Sequence, residues 1–190
     1  HQGIAIPPFC SCPPQPGDRD HFHPLAVLVV ERPFGYHPDP DTAVHTFCHA
    51  LPNTWHQMGV ILSATDSIEW LARLLKTPAA KLTASLGKKL AGPSEVLLMP
   101  YFSGERTPVG DSQIRAAFLG LGQESDAKSI THAVLDGVAF AFRDSLEALR
   151  QGGAKVNRLT AVGGGTKSEI WLKIIATALN IPIDLPAAGD

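Results

Sequence analysis

Between residues 125 and 153 apolar side chains recur every four positions: Ile130, Val134, Val138, Phe142 and Leu146, with Leu149 extending the stripe. That period predicts one long amphipathic helix. Ser125 or Asp126 is placed to cap its start, and Gly152–Gly153 offer a left-handed stop. Gly137 lies inside it, where glycine is about 1 kcal/mol worse than alanine, so close packing against a neighbour is the expected reason for it. A second helix is predicted from Ser168 to about Leu179, burying Trp171, Ile174, Ile175 and Ala178 at helical spacing. "RLTAV" before it and "IPIDLP" after it read as strands, and "SEVLLMPYF" as a buried strand centred on Val96 to Met99. In "TWHQMGVILSATDSIEWLARLLK" the positions Ile61, Ile68, Leu71 and Leu75 suggest a loop and then a helix ending before "TPAAK", capped by Asp66 or Ser67. Strand and helix thus alternate from residue 96 to residue 184, the pattern of an α/β fold.

Residues 1–36 carry no such period. Nine of the 16 prolines fall in the first 40 residues, with four of the eight histidines and two of the three cysteines. X-Pro pairs disfavour helix, and only "LAVLVV", residues 25 to 30, could form a strand. Cys10, Cys12, His21 and His23 lack the spacing of a zinc module, so a disordered leader is the stronger expectation.

Composition narrows the function classes. The chain has 190 residues, 44% hydrophobic and 18% charged, with a net charge of −2. That leaves no basic footprint for nucleic acid or for an anionic membrane surface. No run approaches the roughly 20 apolar residues of a membrane span, and three cysteines make no disulfide framework, so a cytoplasmic setting is expected.

The richest chemistry lies in "LTAVGGGTKSE", residues 159 to 169, where three glycines sit between a strand and a helix. The phosphate loop G-x-x-x-x-G-K-[ST] requires a glycine immediately before its lysine, but Thr166 precedes Lys167. The dinucleotide fingerprint requires a third glycine where Ser168 stands. Neither pattern fits. What remains is a helix start with unpaired amides beside bare backbone, open either to a nucleotide or to the plainer role of a tight turn.

Four stretches together resemble the carboxy-terminal domain of the FGGY carbohydrate kinases: "AVHTFCHALPNTWHQMGVILSATDSIEWL" (43–71), "YFSGERTPVGD" (101–111), "AAFLGLGQESDAKSITHAVLDGVAFAFRDSLEAL" (116–149) and "VGGGTKSEIWLKIIATAL" (162–179). "FCHALPNTWHQMG" and "SGERTP" point to the branch acting on D-xylulose, while Ser129 departs from the acidic, amide or imidazole residue usual at its place. The resemblance implies an actin-like, ribonuclease-H-like ATPase domain over residues 37–190, truncated at its C-terminus and preceded by a non-homologous leader, disordered or read out of frame. It implies ATP with Mg²⁺ as cofactors, and phosphorylation of D-xylulose at O5 once an amino-terminal sugar-binding domain is supplied. Carried over by position, Gly164 and Gly165 would face the adenosine of ATP. Glu169 stands where relatives often have an Asn near the base or ribose, and Glu69 where one has a Gln against nucleotide. Lys167 is expected to point to solvent. The family's catalytic Asp lies in an upstream G-x-D-N-like turn that does not occur in this sequence, so the chain alone is expected to be inactive. A non-catalytic nucleotide-binding or interaction module is the alternative, and an exposed half-interface would favour a homodimer.

Lesser candidates are structural. His45, His49 and His56 have spacings of four and seven, but Pro52 breaks the helix that would align them as metal ligands. Arg106 is balanced between reaching towards phosphate and pairing with Glu105 or Asp111. Cys48 is read as a small buried hydrophobe.

Overall fold

Three strands open the described chain, which comprises residues 26–32 and 39–186 of a computed structural model. Strand β1 (Ala26–Arg32) and strand β2 (His45–Cys48) both pair antiparallel with β3 (Trp55–Ile61), which is therefore central. The β1–β3 register runs from Ala26↔Ile61 to Arg32↔Trp55, along the full length of both strands. Ala26–Val30 of "LAVLVV" thus lie in the strand their composition permits, while Leu25 lies outside the described residues. Cys10, Cys12, His21 and His23 lie outside the described residues.

Strand β3 corrects the reading of residues 55–61 as a loop with Ile61 on a helical stripe. No two-residue alternation is visible because both faces are covered: Gln57, Gly59, Val60 and Ile61 are all buried. Gly59 holds its place because a Cβ there would lie 3.1 Å from the Cβ of Ser145. Strand β2, equally unpredicted, brings His45 opposite Met58 and Phe47 opposite His56.

Helix α1 (Thr65–Leu74) follows, burying Ile68 and Leu71 as the spacing predicts. Its N-cap is Ala64, without a side-chain bond, not Asp66 or Ser67. The Ser67 hydroxyl donates instead to the Ser63 carbonyl one turn back. Helix α2 (Ala79–Ser85) was invisible to periodicity, since Leu82 is its only buried residue.

Helix α3 (Ala127–Gln151) is the spine of the fold, with Val134, Val138, Leu146 and Leu149 fully buried. Asp126 caps it by accepting from Ser129 N at 2.8 Å, and Ser129 Oγ in turn accepts from Asp126 N at 2.8 Å. Ser129 therefore completes a capping box, whatever its relatives carry there. Strand β4 (Leu97–Met99) pairs antiparallel with β5 (Ala117–Leu119) and lies across α3. At that crossing a Cβ on Gly137 would press into the Leu98 carbonyl oxygen, with Leu98 Cβ only 3.0 Å away. Close packing is thus the reason for Gly137.

The C-terminal unit is strand, helix, strand: β6 (Leu159–Thr160), α4 (Glu169–Leu179) and β7 (Ile183–Asp184), the two strands parallel. Helix α4 buries Ile170, Trp171 and Ile174 against the core. Arg143 Nη1 on α3 donates to the Ala178 carbonyl at 3.1 Å, a cation at the end of α4 where the helix dipole favours one. No helix among the described residues is long and apolar enough to cross a membrane.

Candidate functional site

After β6 the chain reaches Gly163 with φ +102 and ψ −178, a region open essentially to glycine alone. A short 3-10 turn, Gly164–Lys167, then leads to Ser168, whose hydroxyl accepts from Trp171 N at 3.4 Å and caps α4. The three glycines are not equivalent. A Cβ at Gly164 would meet no atom within 4 Å, and one at Gly165 would make ordinary contacts of 3.4 Å with Thr65 Cγ2 and 3.5 Å with Trp171 Cζ3. The backbone path therefore requires only Gly163. Gly164 and Gly165 are glycines that the local fold does not demand.

Both line a cleft of about 810 Å³ between the glycine turn, α1, α2 and the head of α4. Helix α1 contributes Thr65, Ile68 and Glu69, and α2 contributes Ala80, Thr83 and Ala84. Gly87 and Lys88 follow from the loop after α2, and Glu169, Ile170 and Trp171 from α4. The structure thus gathers all four residues singled out from the sequence, Gly164, Gly165, Glu169 and Glu69, around one cavity. The wall formed by α2 was missed, because its small residues carry no apolar stripe to detect.

The electrostatics of the cleft are mixed. Glu169 accepts from Lys173 Nζ at 2.7 Å, and this bond holds its carboxyl below the usual glutamate range. Lys173 Nζ also donates to the Lys88 carbonyl at 3.0 Å, joining α4 to the loop after α2. Lys167 is exposed at the rim, as the sequence suggested. Two carboxylates and two lysines balance in charge around an apolar floor of Ile68, Ile170 and Trp171, a lining suited to a flat group that bears hydrogen-bond donors.

The "SGERTP" loop docks on the end of β3. Thr107 Oγ1 accepts from Val60 N at 3.0 Å and donates to the Ala43 carbonyl at 3.0 Å, so one buried hydroxyl joins two segments of the sheet region. Glu105 is 3% exposed, and its Oε1 accepts from Leu62 N at 3.0 Å and from Arg106 N at 2.7 Å. Its Oε2 is buried without a partner. Burial raises the Glu105 pKa, and these two amides offset it only in part. Because the folded pKa lies above the unfolded one, the protonated acid favours the fold, and this contribution is lost as pH rises through the folded value. The difference in Tm between wild type and Glu105→Gln, which cannot titrate, should therefore grow in favour of wild type as pH falls from 7 towards the ordinary glutamate value of about 4.3. Thermal melts across that range check it, and a constant difference would contradict it.

The Arg106 side chain is exposed and acts on Glu105 only as a nearby charge, because the Glu105 carboxylate is engaged by the backbone amides of Leu62 and of Arg106 itself. Cys48 corrects its expectation: it is exposed, since β2 lies at the edge of the sheet. His45, Phe47, His56 and His49 form a ring series, with centroids 5.8, 5.7 and 6.0 Å apart in turn. Among the described residues no group of three or more His, Cys, Asp or Glu is placed to hold a metal ion.

Comparison with known proteins places these features in a family. The model of the FGGY family of carbohydrate kinases, C-terminal domain, matches residues 34–190. The xylulose kinase of Escherichia coli (strain K12) is 37% identical over 159 residues, 82% of this chain and 32% of that protein. The crystal structure described as a xyloylose kinase from Brucella ovis matches with a TM-score of 0.87 at 46% identity, over 100% of this chain and 36% of that one. Plasmodium falciparum glycerol kinase with ADP, 18% identical with a TM-score of 0.73, covers 97% of this chain and 34% of its own, and shares the fold alone. The chain therefore spans about a third of the length of these relatives. Sugar kinases of this family have the actin-like ATPase fold, as the sequence resemblance implied. By the extent of its match and the structure it adopts, the chain belongs to the FGGY family of carbohydrate kinases, within its C-terminal domain.

Proposed function

We propose that this chain forms the ATP side of a xylulose kinase. The observation carrying this reading is the bare backbone of Gly164 and Gly165 lining the 810 Å³ cleft although neither glycine is required by the turn. The adenosine of ATP would lie against that backbone, over Ile170 and Trp171. Glu169 and Glu69 at the same cavity would accept hydrogen bonds from the nucleoside. Mg²⁺ would accompany ATP and neutralise charge on the transferred phosphoryl group; the described residues supply no ligand set for it.

The complete enzyme would move the γ-phosphoryl group of ATP to O5 of D-xylulose in the cytoplasm, giving D-xylulose 5-phosphate. Such catalysis rests on positioning and charge stabilisation, with a carboxylate accepting the hydroxyl proton. No G-x-D-N-like turn occurs in these residues, so that base and the sugar site are assigned to a partner domain. A coupled ATP-consumption assay with D-xylulose tests the assignment. The chain by itself should bind ADP without turnover, and should turn over when the sugar-side domain of a xylulose kinase is supplied. Turnover by the chain alone would overturn the placement of the base; failure to bind ADP at millimolar concentration would overturn the nucleotide site.

A further inference from the structure

The two walls of the cleft are joined at one point by a single ammonium group. Lys173, on the second turn of α4, donates to Glu169 Oε1 at 2.7 Å and to the Lys88 carbonyl at 3.0 Å, across 85 positions of sequence. Lys173 does not line the cavity, yet both of its partners do. Its Glu169 bond is an i,i+4 pair on one helix, so it holds a carboxylate that projects from the first turn of α4. The other bond holds the loop after α2, next to Gly87, whose φ is +80 and whose Cβ position meets no atom within 4 Å. With little packing around Gly87, the Lys173 bond is the polar tie described between that loop and α4.

Charge gives the tie a chemical consequence. Glu169 is exposed and so ionised at neutral pH, and the lysine bond shifts its pKa further down; an ionised carboxylate accepts hydrogen bonds but donates none. With one oxygen held by Lys173, the group presents a fixed acceptor at the cavity mouth. A ligand group meeting it must carry N–H or O–H; a carbonyl placed there would face negative charge.

We propose that Lys173 is a positioning residue for nucleotide selection: it clasps the loop after α2 to the head of α4 and orients Glu169 as an acceptor-only contact for a donor on the nucleoside. This rests on the nucleotide reading of the cleft. The donor is either the exocyclic amine of the base or a ribose hydroxyl, and the two are separable by ligand.

The test measures binding of ADP, IDP and 2′-deoxy-ADP to wild type, Lys173→Met and Lys173→Arg, with hydrogen exchange at residues 86–89 alongside. IDP replaces the amine by a carbonyl, and 2′-deoxy-ADP removes one hydroxyl. Wild type should prefer ADP over one of these analogues by about five- to tenfold, the net scale of one hydrogen bond at a solvent-exposed site. Lys173→Met should weaken ADP by a similar factor, erase that preference and speed exchange at residues 86–89. Lys173→Arg should restore part of each. An exposed pair contributes little to folding, so Lys173→Met should melt close to wild type. Equal ADP affinity and unchanged preference in Lys173→Met would overturn the clasp while leaving the nucleotide site standing. A wild type that binds none of the three would overturn the nucleotide reading, and this proposal with it.

Discussion

Gly137→Ala should lower the melting temperature by about 4–8 °C, the opposite of what a glycine-to-alanine change does in an ordinary helix. Alanine gains about 1 kcal/mol of helix propensity at such a position. Here the new methyl would be driven into the Leu98 carbonyl oxygen, with the Leu98 carbonyl carbon at 3.2 Å and its Cβ at 3.0 Å. The obstacle is backbone of β4, which is itself paired with β5 through Leu98↔Phe118 and cannot swing aside like a flexible side chain. Overpacking of this kind costs about 1–3 kcal/mol, and more where backbone must shift. With paired backbone as the obstacle the cost lies at the top of that range, about 3 kcal/mol, and less the propensity gain of about 1 kcal/mol it leaves a net loss of about 2 kcal/mol, which for a domain of this size is several degrees of Tm. Differential scanning calorimetry decides it: an unchanged or raised Tm would show that α3 and β4 are not in close contact at this point.

The second expected result is a separation of roles within three adjacent glycines. Gly163→Ala should cost about 1–3 kcal/mol of stability, because its backbone sits in a region that side chains avoid. Gly164→Val should leave the melting temperature within about 2 °C of wild type, since its Cβ would have no atom within 4 Å. The same variant should weaken ADP binding at least about tenfold, because its side chain would take space at the cavity edge. Isothermal titration together with thermal melts distinguishes the two effects. If Gly164→Val binds ADP like wild type, the bare backbone at residue 164 is no contact surface, and the cleft loses the main feature that marks it as a nucleotide site.

Most of this is physical chemistry that the linear pattern carries in part. The capped helix α3 was legible in both its ends and its face: Asp126 at the start, Gly152 at the stop and a stripe of Val134, Val138 and Leu146 between. The strand–helix–strand unit around "AVGGGTKSE" was legible too, because short apolar runs there alternate with one clear helical period. Strand β3 was not. A central strand is covered on both faces, and here one cover tolerates the fully buried Gln57 while another requires the bare Gly59 beneath Ser145. Neither residue advertises a strand. Helix α2 was hidden for the opposite reason, since a helix lining a cavity with Ala80, Thr83 and Ala84 buries little and shows no stripe.

The sequence by itself determined the caps of α3 and α4, the class of fold and the family, because caps, apolar periods and contiguous motifs are local properties of a chain. It also named the four residues around the cleft, though only by resemblance of position. Which glycine bends the backbone and which merely leaves it bare was settled by tertiary structure, through the φ of Gly163 and the empty space at Gly164. So was the joining of Lys173 to the Lys88 carbonyl and the burial of Glu105 against β3. Those are contacts between segments far apart in the chain, and their existence depends on how helices and strands pack, a matter of three-dimensional volume and direction that no local pattern encodes.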